Sequence, residues 1–465
     1  MRSGMKNQTL YLPGFSHQLH GRGRAAAQRL LARAERLDGL AALVAKFIPA
    51  KLFAPGPKQR QRVYTPWATF IAFLGQTLTR GSSCRESVRR VQAWCAAQKR
   101  ALPDENTSAY CQARGRISLE TLQAAHDTLG QWIGRHTKET WQWCGRAVSV
   151  LDGCGLSMPD SDENRARWPY AGNQRPGCGF PTAQLVGLFS LSTGQLVRFA
   201  LDAWKAHEIP QARRLLEWIE TGSVVLADRG FCGWGLIAQL QQKGVDVVMR
   251  AHQARKLQGQ RTNWPKPQRK VETWTREVWA GLPAALAMRI VRFRVSVPGY
   301  RTEEIVLVTT LLDEQAYPDE QIIALYRRRW AVELFFRDIK TTLGLDVLRC
   351  QTPDLIEKEV WLQVIAYNLI RALMLESAWT HGVELTRLSF KGTVDTLRQW
   401  TPLLAPTLFD HQHVRAELLR IIAADQLLER PERSEPRARK RRPKSYQLLT
   451  QPRHQMVVSA SRAQK

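Results

Sequence analysis

The hydrophobic pattern of the first third of the chain is helical. A Leu- and Ala-rich amphipathic stretch runs from Ala25 to Ile48 and ends at Pro49. Apolar residues between positions 61 and 140 also recur at helical spacing, and Gly81-Ser82-Ser83 interrupts one of these segments. The pattern predicts a basic helical region, and it contains no helix-turn-helix signature.

After residue 140 the pattern changes to short apolar runs separated by turns. The predicted elements are, in order, a strand at 147–151, a hairpin of 184–191 and 195–201, a helix at 208–220, a strand at 224–227, a helix ending at Gln242 and a strand at 245–249. Met158 to Pro181 is predicted to be an irregular loop rich in Pro and Gly. This mixture of elements predicts an α/β fold.

Residues between the strand at 245–249 and position 315 alternate between apolar and polar. Such alternation over 271–278, 288–297 and 304–310 predicts an antiparallel sheet, with Pro298-Gly299 as one of its turns. Further along, Thr352-Pro353 has the composition of a helix start and predicts a long helix through about Trp379.

The segment from Tyr326 to Lys340 has an unusual distribution of charge. Wound as one α-helix at about 100° per residue, it places a phenol, one carboxylate and three cations within an arc of roughly 80°; these are Tyr326, Arg329, Glu333, Arg337 and Lys340. The adjoining face is apolar and predicts core contact; it holds Leu325, Val332, Phe335, Phe336, Ile339 and Leu343. This pattern fits either a solvated helix with Arg–Glu pairs or a functional carboxylate among cations.

Two aspartates follow the predicted strands at 147–151 and 224–227. Asp152 precedes Gly153, and Asp228 is followed by Arg229-Gly230. A strand-end Asp that caps a turn is a frequent structural feature, so either residue alone is weak evidence. Together with Glu333, however, they form three separated carboxylates of the kind that hold a pair of hard divalent cations.

Composition favours a polyanionic partner. The chain has 68 Lys and Arg against 41 Asp and Glu, a formal net charge of +27 and a pI of about 10.3. Nucleic acid is the usual partner of so basic a protein, although a membrane surface or the ribosome is compatible with the charge alone.

No apolar run approaches the roughly 18 residues of a membrane span, and the N-terminus lacks a signal peptide's apolar stretch. The eight cysteines show no CxxC pair, which favours a reducing cytoplasm.

The spacing of Tyr326, Arg329, Glu333 and Lys340 resembles the Tyr-x2-Arg-x3-Glu-x6-Lys signature of a group of bacterial insertion-sequence transposases of the DDE class, the insertion-sequence-four type. Further blocks resemble the same group: Leu151–Asp160 with Gln174–Pro181, Leu226–Cys232, Arg62–Trp67 and Ser108–Arg114. The resemblance covers roughly residues 60 to 375.

This resemblance implies an RNase H-like catalytic core interrupted by a β-rich insertion. The implied organisation is an N-terminal amphipathic segment (1–60), a helical DNA-end-binding region (61–140), the first part of the core (141–250), the insertion (251–315), the second part of the core with the Glu helix (316–385), and a C-terminal helical region with a basic tail (386–465). The chain departs from the group in one respect, the aromatic residue that stacks on a flipped base. The group carries a Trp for this in the last insertion strand, but this chain has Glu304-Ile305-Val306-Leu307. Trp274, Trp279 or Tyr300 would have to take that place, or the base-flipping step differs.

The resemblance also implies a function. Asp152, Asp228 and Glu333 would be catalytic and bind Mg²⁺, with Mn²⁺ as a substitute, while Tyr326, Arg329, Arg337 and Lys340 would contact DNA phosphates. The protein would cleave double-stranded DNA at the terminal inverted repeats of its element and join the ends to target DNA, by cut-and-paste with a hairpin intermediate. It would act as a homodimer in the cytoplasm, on the nucleoid, without a membrane. The alternatives are a nuclease of RNase H type without strand transfer, and a non-catalytic DNA-binding regulator derived from a transposase.

Other polar residues have simpler interpretations. Asp160, Asp162 and Glu163 are interpreted as solvated loop acids, and His207-Glu208 as the start of a helix whose positive end favours Glu. The Pro-interrupted basic run from Arg430 to Lys444 is predicted to be a disordered arm that contacts phosphates without sequence specificity.

Overall fold

The computed structural model describes residues 36–54, 63–170, 179–204, 207–252, 255, 257–268, 274–295, 303–405 and 410–427. The predicted basic tail, residues 25–35 of the amphipathic stretch, and Tyr300 lie outside these ranges. None of the helices in these ranges is long and apolar enough to span a membrane.

The strands form one mixed sheet. They are β1 (Val148–Ser157), β2 (Thr182–Ser190), β3 (Leu196–Ala203), β4 (Val224–Ala227), β5 (Asp246–Arg250), β6 (Arg261–Pro265), β7 (Ala285–Val295) and β8 (Glu303–Thr309). Their order across the sheet is β3-β2-β1-β4-β5-β8-β7-β6. The first three pair antiparallel, and β1, β4 and β5 pair parallel. This is the strand arrangement of an RNase H-like core, as predicted.

The helices surround this sheet. They are α1 (Arg36–Ala45), α2 (Pro66–Leu78), α3 (Cys84–Ala97), α4 (Ser108–Arg116), α5 (Leu119–Arg135), α6 (Asp162–Arg167), α7 (Glu208–Arg213), α8 (Trp234–Gln242), α9 (Arg276–Ala280), α10 (Asp319–Arg328), α11 (Ala331–Arg337), α12 (Pro353–His381), α13 (Phe390–Trp400) and α14 (His411–Ala424). A π-helix at Asp338–Leu343 follows α11 directly.

Several predicted elements are confirmed and others are wrong. The hairpin, the strand at 224–227, the helix ending at Gln242 and the long helix from Pro353 are present. The strand predicted over 271–278 is wrong in its described part, 274–278, because Thr275 caps the short helix α9 with its side chain. Residues 271–273 lie outside the described ranges. The predicted loop at 158–181 contains helix α6, whose N-cap is Ser161. The helix predicted over 208–220 ends at Arg213, with only a 3-10 turn after it at Leu216–Trp218.

The insertion strands extend the core sheet. β8 pairs antiparallel with β5, with Met249 opposite Val308, and β7 and β6 follow outward. The β-branched and aliphatic residues of β5 and β8 are buried where the strands join, as at Val248 and Leu307. The insertion is therefore hydrogen-bonded to the strand next to β4.

The long helix α12 is buried on all sides. One hydrophobic core contains residues of α12, of the N-terminal helices and of one face of the sheet. On α12, Asn368 accepts a hydrogen bond from the Leu196 N–H at 3.0 Å and donates to the Leu196 carbonyl at 2.9 Å. Tyr367 and Arg371 donate to the carbonyls of Gly194 and Thr193 in the turn before β3. These polar side chains join α12 to the β2–β3 hairpin.

We expect Asn368→Leu to lower the free energy of unfolding by about 2 kcal/mol, because both buried backbone groups of Leu196 would lose a partner. Denaturant unfolding of the full chain measures the change. Gln412→Leu on exposed helix α14 is the control and should leave stability close to that of the parent. Equal effects of the two substitutions would show that the Asn368 hydrogen bonds contribute nothing net.

Candidate active site

Parallel pairing of β1 and β4 brings two of the predicted acids together. Leu151 lies opposite Ala227 in this pair, so Asp152 and Asp228 follow on adjacent strands. β4 ends at Ala227, as predicted. The prediction that the first strand ends at Leu151, just before Asp152, is wrong. The strand continues to Ser157, because β2 pairs with its whole length and places Gly187 opposite Asp152.

Each aspartate makes a local backbone hydrogen bond. The Gly153 N–H donates to Asp152 Oδ1 at 2.8 Å, and the Gly230 N–H donates to Asp228 Oδ1 at 2.8 Å. Burial raises the pKa of Asp152 to about 6, and the negative charges of Asp228 and Glu333 add to this rise. The bond from Gly153 and the charge of Arg329 oppose the rise. The charges of all three predicted acids are thus coupled at Asp152.

The helix that carries Glu333 is not continuous, so the prediction of a single α-helix from Tyr326 to Lys340 is wrong. α10 ends at Arg328, and the N–H groups of Arg329, Trp330, Val332 and Glu333 donate to carbonyls three residues back before α11 takes over. Past Arg337 the chain widens into the π-helix that contains Lys340. Residues three apart align in such a tightened turn, which keeps Tyr326 and Arg329 on one side.

The predicted core face of this segment is confirmed. Its six apolar side chains are all at least 92% buried, with Val332 and Ile339 fully inaccessible. Glu333 is exposed, between the exposed side chains of Trp330 and Leu334. Burial of the apolar face therefore fixes the orientation of this segment, so that the Glu333 carboxylate lies on the exposed face.

The predicted DNA contacts separate into two groups by burial. Tyr326 and Arg329 are buried, whereas Arg337 is exposed and Lys340 is partly exposed. Nη1 of Arg329 lies 3.9 Å from Asp152 Oδ2, so its ion pair joins α10 to β1. Arg337 lies 3.5 Å from Asp338. Lys340 lowers the otherwise raised pKa of Cys154, which places its ammonium group close to β1.

A fourth acid, Glu208, lies beside the two aspartates, although its sequence context predicts only a helix start. Burial raises the pKa of Glu208, and Asp228 and Asp152 add to the rise. Gln184 donates to Glu208 Oε1 at 2.8 Å. His207, its neighbour, is exposed. The glycines after Asp152 and Asp228 were the available sequence signal, because they leave room for another side chain.

The donor set suits a hard divalent cation in its chemistry, because carboxylate oxygens are the preferred ligands of such ions. Within the residues that the structure describes, no three His, Cys, Asp or Glu side chains are close enough together to hold a metal ion. The interpretation of Asp160 as a solvated loop acid is wrong: its side chain is 6% exposed, pairs with Arg165 at 3.0 Å and accepts a hydrogen bond from Tyr170. Asp162 and Glu163 are exposed, as predicted, but lie in the first turn of α6.

Comparisons with known proteins decide the family. The family model "Transposase DDE domain" matches residues 143–369, which span both aspartates and Glu333. Transposase InsG for insertion sequence element IS4 of Escherichia coli is 27% identical over 406 residues, which cover 80% of this chain and 84% of InsG. These matches support a DDE transposase of the IS4 type. The resemblance found in the sequence is thereby confirmed.

Two further proteins are similar to this chain, one over a short segment and one in structure at low sequence identity. The transposase for insertion sequence element IS421 of Escherichia coli is 40% identical over 65 residues, or 14% of this chain and 18% of that protein. A piggyBac transposase in a synaptic complex with hairpin DNA has a TM-score of 0.41 and 10% identity, with 84% of each chain covered. As a DDE transposase, the protein binds DNA and uses divalent metal to cleave it and transfer strands.

We expect Asp152→Asn to stabilise the metal-free transposase at pH 8 by a free energy on the order of 2 kcal/mol. The reason is that the pKa of Asp152 is raised in the folded state, so keeping this carboxyl ionised at pH 8 costs folding free energy. The penalty is present above about pH 6, where the folded protein must bear the charge. It is absent below pH 3.8, where the carboxyl is protonated in both states. The stability difference between variant and parent should therefore shrink as pH falls through this window.

Urea unfolding in EDTA at pH 8 and pH 4.5 measures this difference. Asp160→Asn is the matched control: its carboxylate is paired with Arg165, so its loss should destabilise at pH 8. An Asp152→Asn variant that is less stable than the parent at both pH values would contradict the electrostatic account.

Proposed function

We propose that this transposase cuts its element out at the terminal inverted repeats and inserts it elsewhere through a hairpin intermediate, with Asp152, Asp228 and Glu333 as metal ligands. The pairing of β1 with β4, which makes Asp152 and Asp228 neighbours, is the observation that carries the assignment. The action of Glu333 on the Asp152 pKa supports its inclusion. Its exposed side chain is free to turn toward the aspartates.

Mg²⁺ is the proposed ion, with Mn²⁺ as its substitute; when bound, it activates the attacking oxygen and stabilises the leaving one. The protein's own groups then have separate tasks. Asp152 and Asp228 hold negative charge at the centre of the sheet. Arg329, buried 3.9 Å from Asp152, limits their repulsion before the ion binds.

The remaining cations are proposed to hold phosphates. Lys340 lies near β1 and is partly exposed, and Arg337 is exposed beyond it. Cations this close to a carboxylate site suit the phosphates that flank a scissile bond. Tyr326 and Arg329 are more buried, so they are proposed to contact only a strand end that enters the site.

A hairpin end contains unpaired bases, and exposed aromatic rings can stack on them. Ile305, in the stretch that corresponds to the group's Trp-bearing strand, is buried, as is Trp274. Trp330 is 55% exposed and precedes Glu333 by three residues; Trp204 is 44% exposed, and its ring lies over Gly155 of β1. We propose these two rings as the stacking surfaces.

Two element ends must meet for insertion, so a homodimer on DNA is proposed, with residues 61–140 binding the ends. The net charge of +27 supports association with the nucleoid in the cytoplasm.

Asp152→Asn, Asp228→Asn and Glu333→Gln should each reduce Mg²⁺-dependent nicking of an inverted-repeat duplex by more than about 100-fold, because even indirect partners of metal ligands contribute about 10–100-fold. Gel-shift affinity in EDTA should stay near the parent value, since cations supply the affinity. Glu163→Gln, at an exposed acid in the first turn of α6, is the control. A variant that nicks DNA as fast as the parent would remove that residue from the site. If the parent protein itself bound the duplex but did not cleave it, the alternative of a non-catalytic DNA-binding regulator would be favoured.

Lys340→Ala should slow hairpin formation and strand transfer more than the first nick, because a bent end needs an extra cation. Pre-cleaved, open-ended DNA should restore part of the strand transfer, as measured by gel assay of each step. Arg337→Ala is the comparison, since its side chain already lies near Asp338. An equal loss at every step would identify Lys340 as a general binding residue.

A further inference from the structure

Glu208, at the start of helix α7, lies beside the glycines that follow Asp152 and Asp228. An ideal Cβ on Gly153 would lie 2.5 Å from Glu208 Oε1, and one on Gly230 would lie 3.0 Å from Glu208 Oε2. The Gly230 position is also 3.1 Å from Asp228 Oδ1. The carboxylate of Glu208 thus fits between the residues that follow Asp152 and Asp228.

These two glycines make the arrangement possible. A side chain at Gly153 would collide with the Glu208 oxygen and with Gln184, 2.9 Å away, and one at Gly230 would press on two carboxylates. Positive backbone φ does not explain either glycine, because neither adopts it. The space that they leave is occupied by the carboxylate of Glu208.

The charge of Glu208 has no cationic partner in the described part of the chain. Its polar contact is the amide of Gln184, which is 94% buried on β2. A partly buried carboxylate close to two others is unfavourable unless a cation is present. A divalent ion shared with the aspartates would remove that penalty.

We infer that Glu208 is a fourth carboxylate of the metal site. Among the described residues no three acids are close enough together to hold an ion as they stand, so Glu208 would contact a divalent cation when its side chain and those of Asp152 and Asp228 close on it. This inference rests on the proposed function of those two aspartates. It assigns to α7 a direct part in metal binding, in addition to the strand and helix residues of the DDE set.

The competing role is structural, because the Gln184–Glu208 hydrogen bond joins α7 to β2. The two roles separate by substitution. Glu208→Gln keeps an oxygen that can accept from Gln184 but removes the charge, whereas Gln184→Leu removes the hydrogen bond but keeps the charge. Glu217→Gln changes an exposed acid nine residues further on and serves as the control.

The experiment titrates Mn²⁺ into each full-length variant without DNA and follows free Mn²⁺ by electron paramagnetic resonance. We expect Glu208→Gln to weaken Mn²⁺ binding by at least about 100-fold, because it alters a direct ligand, whereas Gln184→Leu removes only an indirect partner and should weaken binding clearly less. Glu217→Gln should bind Mn²⁺ like the parent. Thermal unfolding in EDTA gives a second readout. Glu208→Gln should unfold at the parental temperature or higher, because it removes one of three adjacent negative charges.

Unchanged Mn²⁺ affinity in Glu208→Gln would overturn the inference, as would equal weakening in Glu208→Gln and Gln184→Leu with lower stability in EDTA. Asp152→Asn distinguishes this failure from that of the proposed function. Weak binding by Asp152→Asn with parental binding by Glu208→Gln would reject only Glu208. Parental binding by both would reject the proposed metal site itself.

Discussion

The parallel pairing of β1 with β4 is the constraint on which the site depends. It makes two carboxylates neighbours at the centre of the sheet, where burial disfavours charge. The surroundings offset this cost only in part, through backbone N–H groups and one guanidinium 3.9 Å away. The folded protein therefore holds an excess of negative charge at the position proposed for the metal ion.

The sequence allowed the core order to be predicted because its short β-branched runs and turn residues are local signals. The strand at Val224–Ala227 and the helix to Gln242 follow from such signals. The apolar face around Val332 and Ile339 was likewise predictable, since its spacing requires burial. The family resemblance rested on residue spacing along this same segment.

Other features depend on contacts between distant segments and were not predictable. β1 extends past Asp152 because β2 pairs with it throughout, and nothing in residues 152–157 alone requires this. The tightened turn at Arg329 and the π-helix at Lys340 accompany packing of both ends of the segment against the core. Glu208 is 56 residues from Asp152 by sequence number, and only the folded hairpin brings it back.

The buried contacts between α5 and α12 bear on how such a protein can be divided. His126 of α5 packs against Trp361 with ring centroids 5.3 Å apart and lies 3.2 Å from Asn368. The N-terminal helices and the catalytic sheet therefore share one interior, although they are separated along the chain. Exchanging residues 61–140 between relatives would replace one part of that interior and leave the rest unmatched to it. The specificity for element ends is consequently easier to change by substituting surface residues than by exchanging whole segments.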